Sequence, residues 1–232
     1  MWRGPDQQAA KRTLFEQWGE KDVPLAARDL TKIPESRFRP PFVFLKDCTD
    51  VRLADFTLRH SPFWCIHLFQ CDGVDIRRVT VDAHMGNNDA IDIESTRNVL
   101  IEDCTLSPGD DIVCIKSGRD RDGRRRARPT ENVVVRRVTA DSGHAFLGIG
   151  SELSGGLRNI LMEDCAMEGT CDYIFRLKTT RTRGGFVENV TMRRITAKHA
   201  SVNAVDFNTA YYTDAASVVK TEVAPTTVKG VH

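Results

Sequence analysis

The sequence predicts an all-β protein built as a parallel β-helix, and three observations support that prediction. One eight-residue pattern recurs six times along the 232 residues. Its core is rich in β-branched residues with apolar side chains at alternate positions, which is typical of short strands. Gly, Asn, Asp and Pro cluster between the copies, as they do in turns. Units of this size bury their apolar side only by stacking on one another, so we expect a solenoid.

Each copy places apolar residues first and third, then a bend that is usually a charged pair, then an apolar residue and usually Thr. The copies are VRLADFTL from Val51, VDIRRVTV from Val74, VLIEDCTL from Val99, VVVRRVTA from Val133, ILMEDCAM from Ile160 and VTMRRITA from Val190. Their unequal spacing indicates loops of variable length between strands. A solenoid of helix pairs is the alternative, and the short β-branched core disfavours it.

Two regions flank the repeats. Residues 1–40 are predicted to be irregular or helical, with an amphipathic helix in DQQAAKRTLFEQW capped by Asp6. Residues 41–232 form the predicted β-helix domain. VKGVH, from Val228, resembles the head of a seventh unit. We therefore expect the β-helix to be truncated at its C-terminal end, as a fragment of a longer protein.

Composition narrows the class of protein. The net charge is only +1, with 41% hydrophobic and 28% charged residues, which is ordinary for a globular protein and favours neither nucleic acid nor membrane as a partner. The sequence shows no membrane-spanning apolar run and no secretory leader, which predicts a cytoplasmic protein if the chain is complete. Seven cysteines without CxxC pairs argue against a disulfide framework and a zinc site.

Polar residues recur at similar offsets after the strand starts. Because stacked units lie about 4.8 Å apart, such residues line one face on consecutive rungs. Asp89, Asp110, Asp111, His144 and Arg176 follow their strand starts by 11 to 16 residues, so we predict all five in the turn after the repeated strand. Adjacent acids raise one another's pKa, which is a way to keep one protonated near neutral pH. A solvated turn residue is the alternative interpretation of any single one.

Longer motifs contain these residues. They are SPFW from Ser61, NNDAIDIES from Asn87, GDDIVCIKSGRD from Gly109, SGHAFLGIGSELSGG from Ser142 and RLKTTRTRGG from Arg176. In these motifs the sequence resembles glycoside hydrolase family 28, the polygalacturonases and related pectin hydrolases, from about residue 39 to 212. The resemblance implies a right-handed, single-stranded parallel β-helix of the pectin lyase-like type. It also implies a monomer that acts on a pectic polysaccharide or oligogalacturonide, outside the cell or in the periplasm.

The resemblance also implies roles for the acidic residues and the histidine. Asp110 would be the general acid that protonates the glycosidic oxygen. Asp89 and Asp111 would hold and deprotonate the attacking water, giving inversion at the anomeric carbon. An inverting acid and base lie about 6.5–9.5 Å apart to leave room for that water. His144 would tune or hydrogen-bond the acid.

Four further residues would bind the substrate by the same resemblance. Arg176 would grip the uronate carboxylate as a bidentate fork, and Lys178 would act on it as a point charge. Tyr211, which we prefer over Tyr212, would contact a sugar. Asn87 belongs to the element that resembles the family's NTD or NNDG motif.

Several features depart from the pattern or have more than one interpretation. Ala90, Ile112 and Ala145 replace usual residues, and we expect their bulk where backbone approaches the substrate. Phe63 and Trp64 are either a sugar platform or core packing, with core packing favoured. RDRDGRRRARP, from Arg119, is predicted to be a solvated loop, with pectate and nucleic-acid contact as weaker alternatives.

The sequence therefore predicts an inverting hydrolase of α-1,4-galacturonosyl bonds without metal or other cofactor, with exo action preferred over endo. A rhamnogalacturonan or xylogalacturonan hydrolase of the same family is one alternative. A catalytically inactive β-helix that at most binds polysaccharide is another. A calcium-dependent lyase is a third, and the pattern around Asp110 and Asp111 disfavours it.

Overall fold

The computed structural model of the chain describes residues 38–211 and 223–232 continuously, and also residues 14, 18, 19, 21, 23–29 and 32. The predicted N-terminal amphipathic helix lies outside the described residues, except for Leu14 and Trp18. A short 3-10 turn covers Leu25–Ala27. Within the described part of the chain, no helix has the length and apolar character needed to cross a bilayer.

Strands dominate the described residues. They are β1 (Val43–Lys46), β2 (Thr49–Arg59), β3 (Ile66–Phe69), β4 (Asp72–Ala83), β5 (Ile91–Glu94), β6 (Arg97–Glu102), β7 (Thr105–Pro108), β8 (Val113–Lys116), β9 (Thr130–Arg136), β10 (Thr139–Gly150), β11 (Leu157–Lys178), β12 (Phe186–Asn208) and β13 (Thr227–Val231), with one α-helix, α1 (Asp120–Arg126), between β8 and β9. The strand pairings are parallel.

The strands form three parallel sheets that wind around one core. The first sheet contains β1, β3, β5, β8 and the C-terminal parts of β10, β11 and β12. The second contains the N-terminal parts of β2, β4, β11 and β12 together with β6, β9 and β13. The third contains β7, the start of β10 and the remaining parts of the long strands. The predicted right-handed parallel β-helix is thus confirmed.

The six predicted repeats occupy one row of the second sheet. The register pairs Val51 with Val74, Val74 with Val99, Val99 with Val133, Val133 with Ile160, and Ile160 with Val190. The second residue of each bend has a positive φ, between 49° and 64°, and turns the chain from the second sheet to the third. These residues are Asp55, Arg78, Asp103, Arg137, Asp164 and Arg194.

The seventh unit exists, but its predicted start is three residues too early. Val228 pairs with Val187, and Val231 pairs with Val190, the start of the sixth unit. Gly230 has a φ of 61°, like the left-handed Asn189 one coil before it. The unit therefore starts at Val231, because the left-handed residue comes directly before each start.

Alternation along the first sheet sends one set of side chains inward and the other outward. Ile91 and Ile93 of β5 are fully buried in the core, so Asp92 between them points to the outer face. In the same way, Ile115 of β8 is in the core, and Cys114 and Lys116 face outward. This outer face forms the floor of the candidate functional site.

Candidate functional site

A groove of about 920 Å³ crosses the coils on the outer face of the first sheet. Its walls are the connections from the third sheet to the first. All eight predicted site residues line it: Asn87, Asp89, Asp110, Asp111, His144, Arg176, Lys178 and Tyr211. The structure therefore brings the whole predicted set together.

The predicted location in turns needs a correction for two residues. Asp89 precedes β5 in a turn, and Asp110 and Asp111 lie in the turn between β7 and β8. His144 instead lies within β10, and Arg176 lies in the C-terminal part of β11. In these later coils the strand passes through the corner with a bulge rather than a break, so no separate turn forms.

Asp89 and Asp111 form a buried pair with contrasting environments. They are 4% and 1% exposed, and their carboxylates approach within 4.8 Å. Burial raises the pKa of Asp89 to about 8. Burial also acts to raise the pKa of Asp111, but the ammonium groups of Lys178 and Lys116 outweigh it and hold that pKa below its ordinary value. Lys178 Nζ donates to Asp111 Oδ2 over 2.5 Å.

The same pair lies beside a thiol. Cys114 Sγ is 3.2 Å from Asp111 Oδ2, and the three side chains have the spacing that a metal ion requires. Burial raises the pKa of the Cys114 thiol well above its ordinary value, so the sulfur keeps its proton. A metal would have to displace both that proton and the Lys178 ammonium. The cluster is therefore electrostatically satisfied by its own cations.

Asp110 is half-buried and held by amide donors. The backbone and side-chain N–H groups of Asn87 donate to its Oδ2 over 3.1 and 3.4 Å. The backbone N–H of Asp111 donates to its Oδ1 over 3.0 Å. Asn87 has a φ of 65°, a left-handed conformation that asparagine tolerates, and its Oδ1 accepts from Arg39 over 2.6 Å. Asp110 is thus oriented while remaining open to the groove.

Both ring nitrogens of His144 are engaged. Arg176 Nη1 is a donor only, and it lies 2.5 Å from Nε2. Nδ1 therefore carries the proton and donates to Asp172 Oδ2 over 2.7 Å. The contact with Asp110 runs through the backbone, where the His144 N–H donates to the Asp110 carbonyl over 2.8 Å. The imidazole thus orients Arg176, and the role of His144 in tuning or hydrogen-bonding the acid stays a prediction.

Arg176 is buried and fixed on three sides. Its guanidinium carbon lies 4.1 Å from the Tyr173 ring centre and 5.4 Å from that of Tyr211. Its Nε donates to Asp206 Oδ2 over 3.0 Å. Such a clamp presents a rigid cation to the groove. Asp172, Asp206 and Tyr173 were not among the predicted site residues. Asp206 could have been found from its pairing with Arg176 in the parallel register.

An aromatic stack lines the other end of the groove. The rings of Phe63 and Trp64 stack with centres 4.8 Å apart, and the Lys116 ammonium lies 4.9 Å from the Trp64 centre. Arg39 lies over the far face of Phe63 at 5.0 Å. Both rings line the groove, so the favoured prediction of core packing is wrong.

Two other expectations are also corrected. Ala90, Ile112 and Ala145 are fully buried in the interior, so their side chains add no bulk to the groove. The arginine-rich segment contains α1 rather than a solvated loop. It is anchored because Asp120 pairs with Arg183 at 2.7 Å and Asp122 pairs with Arg28 at 2.9 Å.

Comparison with known sequences agrees with this geometry. The sequence profile of "Glycosyl hydrolases family 28" matches residues 27–231. A protein named "Probable polygalacturonase" from Vitis vinifera is 36% identical over 163 residues, covering 69% of this chain and 33% of that protein. An endo-polygalacturonase from Pectobacterium carotovorum subsp. carotovorum is 26% identical over 164 residues, covering 70% of this chain and 39% of that protein.

Solved structures extend the likeness to the fold. A hyperthermoactive exopolygalacturonase from Thermotoga maritima superposes with a TM-score of 0.83 and 31% identity, covering 99% of this chain and 50% of that one. A family 28 exopolygalacturonase from Yersinia enterocolitica shares the fold at a TM-score of 0.75 and 21% identity, over 99% and 40% of the two chains. The chain spans about a third to a half of the length of these relatives. With its repeats, groove and profile match together, the chain belongs to glycosyl hydrolase family 28.

Proposed function

We propose that the protein hydrolyses α-1,4-galacturonosyl bonds of pectic polysaccharide or oligogalacturonide with inversion. The observation that carries the proposal is the trio Asp89, Asp110 and Asp111 in one groove with Arg176 and Lys178 beside it. Opposite pKa shifts on two neighbouring carboxyls are a mark of acid–base sites. Polygalacturonase is the activity named for the relatives above. We expect this protein to act outside the cell or in the periplasm.

Asp110 is the proposed general acid. Its carboxyl faces the groove and is oriented by Asn87, so its proton can pass to the glycosidic oxygen as the bond to the anomeric carbon breaks. The leaving sugar departs with that proton as a free hydroxyl.

Asp111 is the proposed base, and Asp89 is its partner in holding the water. The Lys178 ammonium keeps Asp111 ionised, so Asp111 can accept the proton of a water that attacks the anomeric carbon. Asp89, with a pKa of about 8, is protonated at neutral pH and donates a hydrogen bond to the same water. Attack from the face opposite the leaving group inverts the configuration.

Arg176, Lys178, Tyr211 and Asn87 are the proposed substrate-binding residues. The clamped Arg176 guanidinium and the adjacent Lys178 ammonium supply positive charge for a uronate carboxylate. Tyr211 covers both cations, at 5.4 and 5.9 Å from its ring centre, and its ring suits the apolar face of a sugar. Two cations beside the cleaved bond favour homogalacturonan over the rhamnogalacturonan alternative.

Exo action is the finer part of the proposal. The Arg39–Phe63–Trp64–Lys116 stack lines one end of the groove, and a wall there favours binding of a chain end. The likeness to the exopolygalacturonase from Thermotoga maritima supports the same choice. On polygalacturonate, exo action predicts that reducing ends accumulate while viscosity falls slowly. A rapid loss of viscosity at low conversion would indicate endo action instead.

The test of the main proposal is reducing-end release from polygalacturonate by the wild-type chain, Asp110→Asn and Asp50→Asn. Asp50 is an exposed residue at a remote corner, so its variant controls for loss of a carboxylate. We expect activity in the wild type and Asp50→Asn and a loss of at least about 100-fold in Asp110→Asn, with equal circular dichroism. Equal activity in all three would exclude Asp110 as the acid. An unsaturated, ultraviolet-absorbing product would indicate a lyase, and a folded but inactive wild type would favour the binding-only alternative.

A further inference from the structure

A buried pair of ionisable residues lies at the floor of the groove, next to the proposed base. Asp92 of β5 is fully buried and Lys116 of β8 is 4% exposed. Lys116 Nζ lies 3.6 Å from Asp92 Oδ1. Asp92 has no role in the hydrolysis described above, and Lys116 enters it only through its effect on Asp111 and its contact with Trp64. Burial of either charge costs several kcal/mol in a protein.

Asp92 lacks the contacts that an ionised carboxylate needs. Neither of its oxygens has a hydrogen-bond donor among the described residues. Ionised carboxylates in protein interiors are hydrogen-bonded or closely paired, because the alternative is a large desolvation cost. Asp92 is therefore a neutral, protonated carboxyl, and burial raises its pKa well above the ordinary value.

Lys116 directs its ammonium elsewhere. Its Nζ lies 3.3 Å from the Gly150 carbonyl and 3.5 Å from Glu152 Oε2. Cys114 Sγ approaches the same carbonyl at 3.3 Å and Asp111 Oδ2 at 3.2 Å. A continuous chain of polar contacts thus runs from Lys116 through Gly150 and Cys114 to Asp111.

The surrounding charges agree with this assignment. Asp92 is faced by Asp89, Glu94, Asp111 and Lys116, and Lys116 is faced by Asp89, Asp92, Cys114 and Glu152. Lys178 completes the cluster through its bond to Asp111. If Asp89 and Asp92 hold protons, the ionised groups Asp111 and Glu152 balance the two lysines. These four charges then cancel, as a site with little water favours, and Glu94 lies outside this balance, 3.0 Å from His67 Nε2.

We propose that Lys116 is a positioning residue that keeps the base Asp111 ionised, and that Asp92 stays protonated so that it does not neutralise Lys116. Lys116 touches no reacting atom and acts through the charge it places beside the pair of Asp89 and Asp111. The inference rests on the proposed hydrolysis, since Asp111 matters only as the base.

The test is the acid limb of the pH profile of kcat/KM on polygalacturonate. An opposite charge within about 4–6 Å lowers a carboxyl pKa by about 1–3 units, and Lys116 acts on Asp111 as a second cation after Lys178. Lys116→Met should therefore move the acid limb up by about one pH unit, and Lys116→Arg should bring it back towards the wild-type position. Asp92→Asn replaces a neutral carboxyl by a neutral amide of the same shape, so its acid limb should stay in place.

Two other results for these variants would each overturn part of the inference. An equal loss of activity at every pH in Lys116→Met would show a structural role only. A downward shift in Asp92→Asn would show that Asp92 is ionised and shares the charge of Lys116. If the wild type releases no reducing ends, the proposed function fails, and carboxyl NMR titration of the resting protein still tests the inference. In that titration Asp111 should titrate at higher pH in Lys116→Met than in the wild type.

Discussion

At the scale of single residues, two identical side chains acquire different chemistry from their neighbours. Asp89 and Asp111 are both buried aspartates, but only Asp111 accepts a hydrogen bond from Lys178. That bond and the charge of Lys116 together offset the desolvation of Asp111, whereas desolvation dominates at Asp89. The hydrogen bond from Lys178 therefore distinguishes a carboxylate from a carboxylic acid at neutral pH.

This difference makes stability depend on pH. The pKa of Asp89 rises from 3.8 to about 8 on folding, so the folded state binds more protons between those values. Stability contributed by the protonated group must then fall as pH rises through this window. We expect Asp89→Asn to show a smaller drop in Tm between pH 5 and pH 8 than the wild type, by thermal unfolding. Asp50→Asn should keep the wild-type drop, and an unchanged drop in Asp89→Asn would contradict the assignment.

A substitution at Gly148 tests how tightly the Asp111 carboxylate is held. A Cβ at this position would lie 2.7 Å from Asp111 Oδ2 and 3.0 Å from its Cγ. Gly148→Ala should therefore displace the carboxylate from Lys178 and lower kcat/KM by about 100-fold, since displacements near 1 Å are that costly. Gly19→Ala is the matched control, because its Cβ would stay 3.4 Å from the nearest atom. Full activity in Gly148→Ala would mean that the base tolerates movement.

At the scale of elements, stacked asparagines hold the start of the second-sheet strands. Asn98, Asn132, Asn159 and Asn189 all have φ between 54° and 58°. The side-chain amides of the last three each donate to the Oδ1 of the asparagine one coil before, over 3.0–3.2 Å. The amide of Asn98 donates to Asp72 Oδ1 over 2.7 Å. The left-handed backbone and the amide ladder thus occur at the same positions.

Substitutions of Asn159, in the middle of this ladder, distinguish the contribution of the left-handed backbone from that of the amide hydrogen bonds. Asn159→Ala should lose about 2–4 kcal/mol of unfolding free energy, from left-handed strain in a residue with a Cβ and from two hydrogen bonds. Asn159→Gly should lose less, because glycine adopts this φ without strain. Urea unfolding of both variants measures the difference. Equal losses would show that the ladder bonds, and not the backbone conformation, determine the stability.

The bend to the third sheet carries a second ladder, made of alternating charges. Asp55 pairs with Arg78, Asp103 with Arg137 and Asp164 with Arg194, at 2.6–2.7 Å. Exposed pairs of this kind contribute little stability one by one. Their alternation instead favours the observed pairing of coils. If a strand paired with the coil after next, two aspartates or two arginines would lie side by side.

At the scale of the whole molecule, one end of the solenoid exposes its apolar interior. Val205 and Phe207 are 60% and 50% exposed, next to an apolar cavity of about 490 Å³ lined by residues of β11, β12 and β13. Contiguous apolar surface of this kind promotes association. The monomeric state inferred from the sequence remains a prediction for dilute solution, and at high concentration we expect association through this face.

Phe207→Lys tests that face. We expect the variant to bind less of a hydrophobic dye than the wild type and to sediment as a smaller species at high concentration. Met85→Lys is the control, because Met85 is 61% exposed but lies in a separate turn before β5. If both variants behave alike, general surface charge and not the end face governs association.

The sequence by itself determined the coil and the register, and it predicted eight residues that meet in one groove. Alternating apolar positions, left-handed asparagines and bends with charged pairs are local features. They repeat because each coil packs against its neighbours in the same way. Matching offsets then place Asp89, Asp110 and Asp111 on neighbouring rungs. The start of the seventh unit and the turn positions of His144 and Arg176 were misplaced, as were the aromatic pair Phe63 and Trp64, which line the groove.

Tertiary structure decided the pairing of charges and the direction of side chains. Lys178 could have faced the substrate alone, but it bonds Asp111. The His144 imidazole accepts a hydrogen bond from Arg176, and the Trp64 ring lines the groove. These outcomes depend on connections of unequal length and on side chains from distant coils meeting on one face. A local sequence pattern does not specify which side chains of different coils come into contact. Those contacts are set by packing and charge balance in the assembled solenoid.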